Sequence, residues 1–97
     1  SLDLSNVPNL LHLRCQRNVL EELDLSSVPN LTTLVCFKNR LRELDLSRVP
    51  QLRRLVCHSQ PLQELDIRSC VATEFELWCS EHTVVRKRPD QILRHAI

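Results

Sequence analysis

The strongest constraint on the fold is a short motif that returns four times at a fixed interval. An apolar residue, an aspartate and a second apolar residue stand together, and each copy begins 21 residues after the previous one. The copies are Leu2-Asp3-Leu4, Leu23-Asp24-Leu25, Leu44-Asp45-Leu46 and Leu65-Asp66-Ile67. A repeat of this length cannot bury its apolar face alone, so successive copies must stack on one another. The interval therefore predicts a solenoid.

The full repeat reads L-x-x-L-x-C-x-x-N-x-L-x-E-L-D-L-S-x-V-P-x and spans residues 10–30 and 31–51, with a weaker third copy from Leu52. Its apolar residues lie two or three positions apart, which favours two short extended segments per coil over a continuous helix. A proline returns at the end of each copy and suits a corner between these segments. We expect each repeat to form one coil.

The corners carry asparagines that return with the same period. The chain contains no glycine, so a corner that needs a positive φ must use another residue, and Asn18 and Asn39 are the candidates. We also expect their side-chain amides to join successive coils by hydrogen bonds. Gln60 takes the place of the asparagine in the third coil and departs from the pattern.

The segment L-x-x-L-x-C-x-x-N-x-L resembles the conserved part of leucine-rich repeat proteins. Residues 31–47 are similar to the 21-residue cysteine repeats of bacterial proteins of the internalin J kind, which read L-x-x-L-x-C-x-x-N-x-L-T-x-L-D-V-S. The resemblance covers about the first two thirds of the chain. It implies an α/β or mainly β solenoid of about four right-handed coils, with a concave parallel β-sheet that recognises a partner. It also implies a bacterial source and carries over no catalytic residue.

Composition fits one small domain. The chain has 97 residues, of which 42% are hydrophobic, a formal net charge of +1 and no apolar run long enough to span a bilayer. The first repeat has no polar cap before it, so we expect a longer protein or an end covered by another chain, a second copy included. We divide the chain into a solenoid, residues 1–82, and a C-terminal cap, residues 83–97.

Cysteines raise the question of disulfides. Cys15, Cys36 and Cys57 lie one repeat apart in a slot that is expected to point inward, so their sulfurs should stack about 4.8 Å apart. Such thiols behave as small apolar side chains, and adjacent parallel strands suit a disulfide between equivalent slots poorly. Several unpaired thiols favour a cytoplasmic location, with a secreted effector or a cell-surface protein as the alternative.

The repeat slips by one residue near its end. Leu77-Trp78-Cys79 matches Leu55-Val56-Cys57 at an interval of 22, and we place the insertion near residues 68–70. Cys79 and His82 form a C-x-x-H pair, which is compatible with metal ligation or with a nucleophile beside its base. Because no second ligand pair or acid accompanies it, we favour a structural interpretation. Cys79 then continues the line of Cys15, Cys36 and Cys57, and His82 lies in a turn. We predict no metal and no cofactor.

The last residues are predicted to close the coil. Residues 83–88 read as an edge strand, and Pro89-Asp90 as the start of a helix with an apolar face. That face consists of Ile92, Leu93, Ala96 and Ile97. The densest positive cluster of the chain lies here and consists of Arg86, Lys87, Arg88, Arg94 and His95. Because there is no overall basic excess and no aromatic platform, a nucleic-acid partner is disfavoured.

Strand alternation predicts the binding surface, since residues that flank the inward leucines and cysteines point outward. They form four rows across the coils: His12, Thr33, Arg54 and Glu76; Arg14, Val35, Val56 and Trp78; Gln16, Phe37, His58 and Ser80; Arg17, Lys38, Ser59 and Glu81. We expect exposed apolar side chains rimmed by cations, which is the anatomy of a protein-binding surface. The predicted site residues are Arg14, Arg17, Val35, Phe37, Lys38, Arg54, Val56, His58 and Trp78. The alternative explanation is that β-branched and aromatic residues merely suit strands.

These observations predict a non-enzymatic module that binds a protein through its concave sheet. One rival is a targeting or regulatory repeat domain within a larger effector or enzyme. The other is a nucleic-acid-associated regulator that uses residues 86–94.

Overall fold

Within the described residues, the regular structure consists of seven short strands. The computed structural model describes residues 2–94. The strands are β1 (His12–Arg14), β2 (Thr33–Val35), β3 (Arg54–Val56), β4 (Glu64–Asp66), β5 (Glu74–Trp78), β6 (Val84–Arg86) and β7 (Ile92–Arg94). No helix that could cross a membrane occurs within residues 2–94.

The strands form two parallel sheets on the sides of a solenoid of about four turns. The larger sheet has the order β1-β2-β3-β5-β7, and the smaller one pairs β4 with β6. In the larger sheet Leu13 lies opposite Leu34, and Leu34 lies opposite Leu55. Each strand thus repeats the previous one after one coil. The predicted repeat solenoid with a parallel sheet is confirmed.

The core is the stack of apolar slots that the 21-residue period predicts. Leu31, Leu34 and Leu41 of the second coil are fully buried, as are Leu52, Leu55 and Leu62 of the third coil. Leu10, Leu13 and Leu20 are only partly buried because they lie in the first coil, which has a neighbour on one side. Burial by neighbouring coils therefore holds the fold together, in place of long secondary structure.

The one-residue slip lies after Cys70, slightly later than predicted. The amide of Cys70 donates to the Ile67 carbonyl at 3.0 Å, as the amide of Val49 donates to the Leu46 carbonyl at 3.2 Å. The 21-residue period therefore holds as far as Cys70. Leu77 then lies opposite Leu55, which confirms the interval of 22.

On the second side of the coil, an extended segment becomes a regular strand only at the fourth copy of the motif. β4 contains Leu65-Asp66, whereas residues 23–25 and 44–46 form no strand. Each aspartate of the motif accepts a hydrogen bond from the amide two residues later, such as Ser26 to Asp24 at 2.9 Å. These local turns satisfy backbone donors that a strand would otherwise pair.

The predicted C-terminal helix is wrong over the described residues. Ile92–Arg94 is strand β7, which pairs with β5 so that Leu93 lies opposite Phe75. Pairing with a neighbouring strand satisfies the backbone of this segment, and the Ile92 amide donates to the Thr73 carbonyl at 2.6 Å. The predicted helix residues Ala96 and Ile97 lie outside the described residues. The division of the chain at residue 82 stays a prediction.

The corners place positive φ one residue earlier than predicted. Arg17, Lys38 and Ser59 have φ values of 60°, 56° and 62°, whereas Asn18 and Asn39 do not have positive φ. Asn39 has another task, because its side chain bonds to the neighbouring coil. The prediction of Asn18 and Asn39 as the left-handed residues is therefore wrong.

The second expectation about the corners, an amide ladder between coils, is met from Asn39 onward. The Asn39 Nδ2 donates to the carbonyls of Cys15 and Cys36, both at 3.0 Å, while its Oδ1 accepts from the Leu20 amide at 3.1 Å. Gln60 makes the equivalent three bonds in the next coil, and it donates to the Cys36 and Cys57 carbonyls at 3.0 and 2.9 Å. The glutamine thus replaces the asparagine without loss of the ladder.

Candidate functional site

The outer face of the five-stranded sheet carries the rows that strand alternation predicts. Register places Arg14, Val35, Val56 and Trp78 in one row across β1, β2, β3 and β5. The same register places His12, Thr33, Arg54 and Glu76 in the row beside it. The predicted site residues on the strands therefore share one face, opposite the core. We call this surface the outer face.

Val35 is less accessible than predicted. Its exposed fraction is 5%, which makes it a buried residue, and Phe37, Val56, His58 and Trp78 are half-buried. Val35 has Arg14 on one side and Val56 on the other at one strand spacing, so neighbouring side chains cover it. The expectation that the apolar side chains are openly exposed is wrong for Val35. Sequence alternation gives the direction of a side chain and says nothing of what covers it.

Two aromatic contacts organise the outer face. The rings of Phe37 and His58 are stacked, with centroids 4.8 Å apart and an interplanar angle of 14°. The Arg54 guanidinium lies over the Trp78 ring, 5.0 Å from its centroid. His58 is held further by a hydrogen bond of 2.8 Å between its Nδ1 and the Ser59 hydroxyl. Stacking and cation–π contacts of this kind restrict the rotamers of large side chains before any ligand arrives.

Charges are distributed unevenly over the outer face. Towards the C-terminal coils the cations are paired: Arg54 with Glu76 at 3.3 Å, and Arg94 with Glu74 at 3.2 Å. These groups line a shallow depression of about 500 Å³. Towards the N-terminal coils, within residues 2–94, none of the exposed cations Arg14, Arg17 and Lys38 has a carboxylate at ion-pair distance. The surface is therefore positive at one end and neutralised at the other.

The Arg94–Glu74 pair belongs to the part of the site that sequence reasoning missed. The sequence predicts Arg94 in a basic cluster on a capping helix, whereas the sheet places it opposite Glu76 on the neighbouring strand. A strand in residues 92–94 has no strong sequence signal, because Ile92 and Leu93 also fit a helical spacing. The alternating charges Glu74, Glu76 and Arg94 were the available clue, since opposite charges are favourable across neighbouring strands.

The cysteine column runs beneath the outer face, and all five cysteines are free. Burial raises the pKa of the Cys36 thiol to about 12, with a smaller contribution from neighbouring Cys15. Burial also raises the pKa of Cys57. The neighbouring thiols of Cys36 and Cys79 raise it further. Thiols with such pKa values carry little thiolate at neutral pH and are poor nucleophiles and metal ligands.

The C-x-x-H pair does not gather a ligand set. Cys79 is half-buried and burial raises its pKa, while His82 is exposed. No group of three His, Cys, Asp or Glu side chains lies close enough to hold a metal ion in the part of the chain from residue 2 to residue 94. Cys79 follows Trp78, which pairs with Val56, and so it continues the column as expected.

The C-terminal basic cluster is largely engaged within the protein. Arg86 pairs with Glu64 at 2.6 Å, and Arg88 pairs with Asp90 at 3.1 Å. The Lys87 ammonium donates to the Gln91 carbonyl at 3.0 Å. His95 lies outside the described residues. Paired cations attract a polyanion less than free ones, and a nucleic-acid partner stays a disfavoured prediction.

Comparisons with known proteins agree with this geometry. No protein-family model matches the chain, and no curated protein matches it. Among solved structures, the chain is similar to one described as the functional domain of InlJ from Listeria monocytogenes, which includes a cysteine ladder. The sequences are 28% identical, the TM-score is 0.74, and the match covers 89% of this chain and 22% of that chain. The chain thus spans about a fifth of the length of the protein that it matches. The resemblance inferred from the repeat is confirmed: the chain is a parallel-strand solenoid with five cysteines, similar to the InlJ cysteine-ladder domain.

Proposed function

We propose that this chain is a non-enzymatic module that binds a protein through the outer face of its five-stranded sheet, which we take to be the concave side of the coil. The contact residues are Arg14, Arg17, Phe37, Lys38, Arg54, Val56, His58 and Trp78, with Val35 as the packed floor beneath them. The observation that carries the proposal is the pair of aromatic contacts, Phe37 on His58 and Arg54 on Trp78.

Fixed aromatic side chains favour binding for a physical reason. A side chain that is ordered before the partner arrives loses less rotamer entropy on association. Tryptophan and arginine are also the residue types that most often dominate the energy of a protein interface. The face has a half-buried apolar centre and a charged rim, the arrangement that interfaces commonly show.

A purely structural role for these residues predicts a different pattern. β-Branched and aromatic residues also stabilise strands, and in that case their loss would lower stability and leave binding unaffected. The high thiol pKa values argue against cysteine catalysis as a rival function. The thiol-rich interior fits a reducing compartment, and we propose a cytoplasmic location on that ground.

The test is retention of a partner by folded variants. Phe37→Ala and Trp78→Ala should each abolish capture of a protein from an extract of the source cells, while circular dichroism and urea denaturation show a folded chain. Val84→Ala is the matched control, since it removes an exposed apolar side chain from β6, in the other sheet. A protein retained equally by wild type, Trp78→Ala and Val84→Ala would contradict the proposed surface.

A further inference from the structure

Three corner residues with a strained backbone lie in line along one edge of the outer face, and we call them the corner column. Arg17, Lys38 and Ser59 occupy equivalent corners of three successive coils, and all three have positive φ. This conformation is uncommon for residues other than glycine, and asparagine and aspartate adopt it most readily. The chain has an asparagine at the very next position in the first two coils, yet the left-handed position holds two cations and a serine.

The backbone fixes where these side chains stand. The Arg17 amide donates to the Phe37 carbonyl at 2.9 Å, and the Lys38 amide donates to the His58 carbonyl at 3.1 Å. The Ser59 amide donates to the Ser80 hydroxyl at 2.9 Å. Because each corner is tied to the next coil, the three side chains leave the surface about one strand spacing, roughly 4.8 Å, apart.

Two like charges at that spacing repel each other unless an anion lies between them. Within residues 2–94 neither Arg17 nor Lys38 has a carboxylate at ion-pair distance, whereas Arg54 and Arg94 of the same sheet each have one. The Ser59 hydroxyl shares a hydrogen bond with the His58 Nδ1, and it can donate to a carboxylate when that nitrogen carries the proton and donates to the hydroxyl oxygen. The corner column therefore has the positive charge and the hydrogen-bond donors to bind one carboxylate, and Arg14 lies nearby on β1.

We propose that the segment bound on the outer face is an acidic and apolar peptide of a partner protein, whose Asp or Glu carboxylate contacts Arg17, Lys38 and Ser59. Its apolar side chain packs on Val56 and Trp78. Lys38 lies two strands from Trp78 and Arg17 lies three, which corresponds to about 10–15 Å, or about three or four residues of an extended segment. This inference rests on the proposed function and adds the chemistry of the partner.

The experiment uses a displayed library of random peptides of about twelve residues, long enough in extended form to cross all five strands. Selection on the wild-type chain should enrich peptides with Asp or Glu about three or four positions from a large apolar residue. Synthetic copies of the enriched peptides should bind more weakly when the ionic strength rises from about 0.05 M to about 0.5 M, because salt screens exposed charge pairs.

The decisive variant is Arg17→Asn with Lys38→Asn. Asparagine relieves the left-handed strain, so this double variant should be at least as stable as wild type while it binds the enriched peptides about tenfold more weakly. Arg40→Asn with Arg42→Asn is the matched control, since it removes two exposed cations that are separated by Leu41 and lie outside the corner column. The control should bind as wild type does.

The outcomes separate the two proposals. Peptides that lack acidic residues, and whose binding is lost in Trp78→Ala but kept in the double asparagine variant, would overturn the acidic partner and leave the binding face intact. A selection that enriches nothing, or only peptides that bind Trp78→Ala equally well, would overturn both. Binding of an oligouridylate that competes with the peptides and needs Arg17 and Lys38 would replace the acidic peptide with a nucleic acid.

Discussion

Single side chains in this protein have one of two tasks, and the period of the sequence separates them. A residue that recurs every 21 positions in an apolar slot belongs to the core, as Leu34 does, with no exposed surface. A residue that varies from copy to copy at an outward position, such as Arg14, Val56 and Trp78, lies on the outer face. The proposed function uses this variation, because it gives the outer face side chains that the repeat itself does not require.

Leu34 tests the first task. Leu34→Ala should lower the free energy of unfolding by about 2–5 kcal/mol, because it leaves a cavity in a fully buried slot. Val19→Ala should change it by less than about 0.5 kcal/mol, since Val19 is 67% exposed. Urea denaturation of both variants measures the difference. Equal losses would mean that the inward slots are wrongly assigned.

Asp66 gives the fold a dependence on pH. The Arg68 side chain, followed by the Arg68 amide, lowers the pKa of this carboxyl from 3.8 to about 2. The unfolded chain therefore binds the proton more readily, so the stabilisation is complete above about pH 4 and is lost as pH falls through about 2. The carboxylate is half exposed, which keeps the effect small.

The measurement is urea denaturation of wild type and Asp66→Asn between pH 5 and pH 2. Wild type should be the more stable at pH 5, and the difference between the two should shrink as the pH approaches 2. A difference that stays constant over this range would show that the carboxylate charge is not the source of the stabilisation.

At the scale of the coil, backbone hydrogen bonding determines the local structure wherever the spacing of apolar residues fits more than one. Ile92 and Leu93 fit a helical spacing, yet the neighbouring strand β5 offers unpaired backbone groups, and the segment pairs with them. Asn39 suits a left-handed corner, yet its side-chain amide instead bonds to three backbone groups of two coils. In both cases a contact with a distant segment outweighs the local preference, and a single sequence does not show that contact.

Asn39→Ala tests the amide ladder. The change leaves the Cys15 and Cys36 carbonyls and the Leu20 amide without their partner, which should cost about 2–4 kcal/mol of unfolding free energy. Asn18→Ala should cost clearly less, because Asn18 bonds only to its own coil at Cys15 and Gln16. Asn39→Gln should recover part of the loss, since Gln60 already performs this task in the next coil. If Asn18→Ala proved as costly as Asn39→Ala, the ladder would not link the coils as described.

At the scale of the whole molecule, the repeat determines the scaffold but does not determine every contact on the surface. The solenoid, the parallel sheet and the cysteine column all follow from one 21-residue period, because stacking copies is the way to bury its leucines. The burial of Val35 does not follow, since it depends on the conformations of the side chains around it. Neither do the Phe37–His58 and Arg54–Trp78 contacts, which depend on rotamers.

Thiol labelling tests in one experiment which cysteine side chains are buried in the core of the solenoid. The folded protein is treated with iodoacetamide at about pH 8, close to the ordinary thiol pKa, and each cysteine is followed by peptide mass mapping. Cys36, Cys57 and Cys70 should stay unmodified while half-buried Cys79 reacts slowly, and all should react in guanidinium. Burial and the raised thiol pKa values, about 12 for Cys36 and about 11 for Cys70, both predict this protection. Modification of Cys36 and Cys57 in the folded chain at the rate of free cysteine would contradict the stacked interior, and with it the outer face on which the proposed function rests.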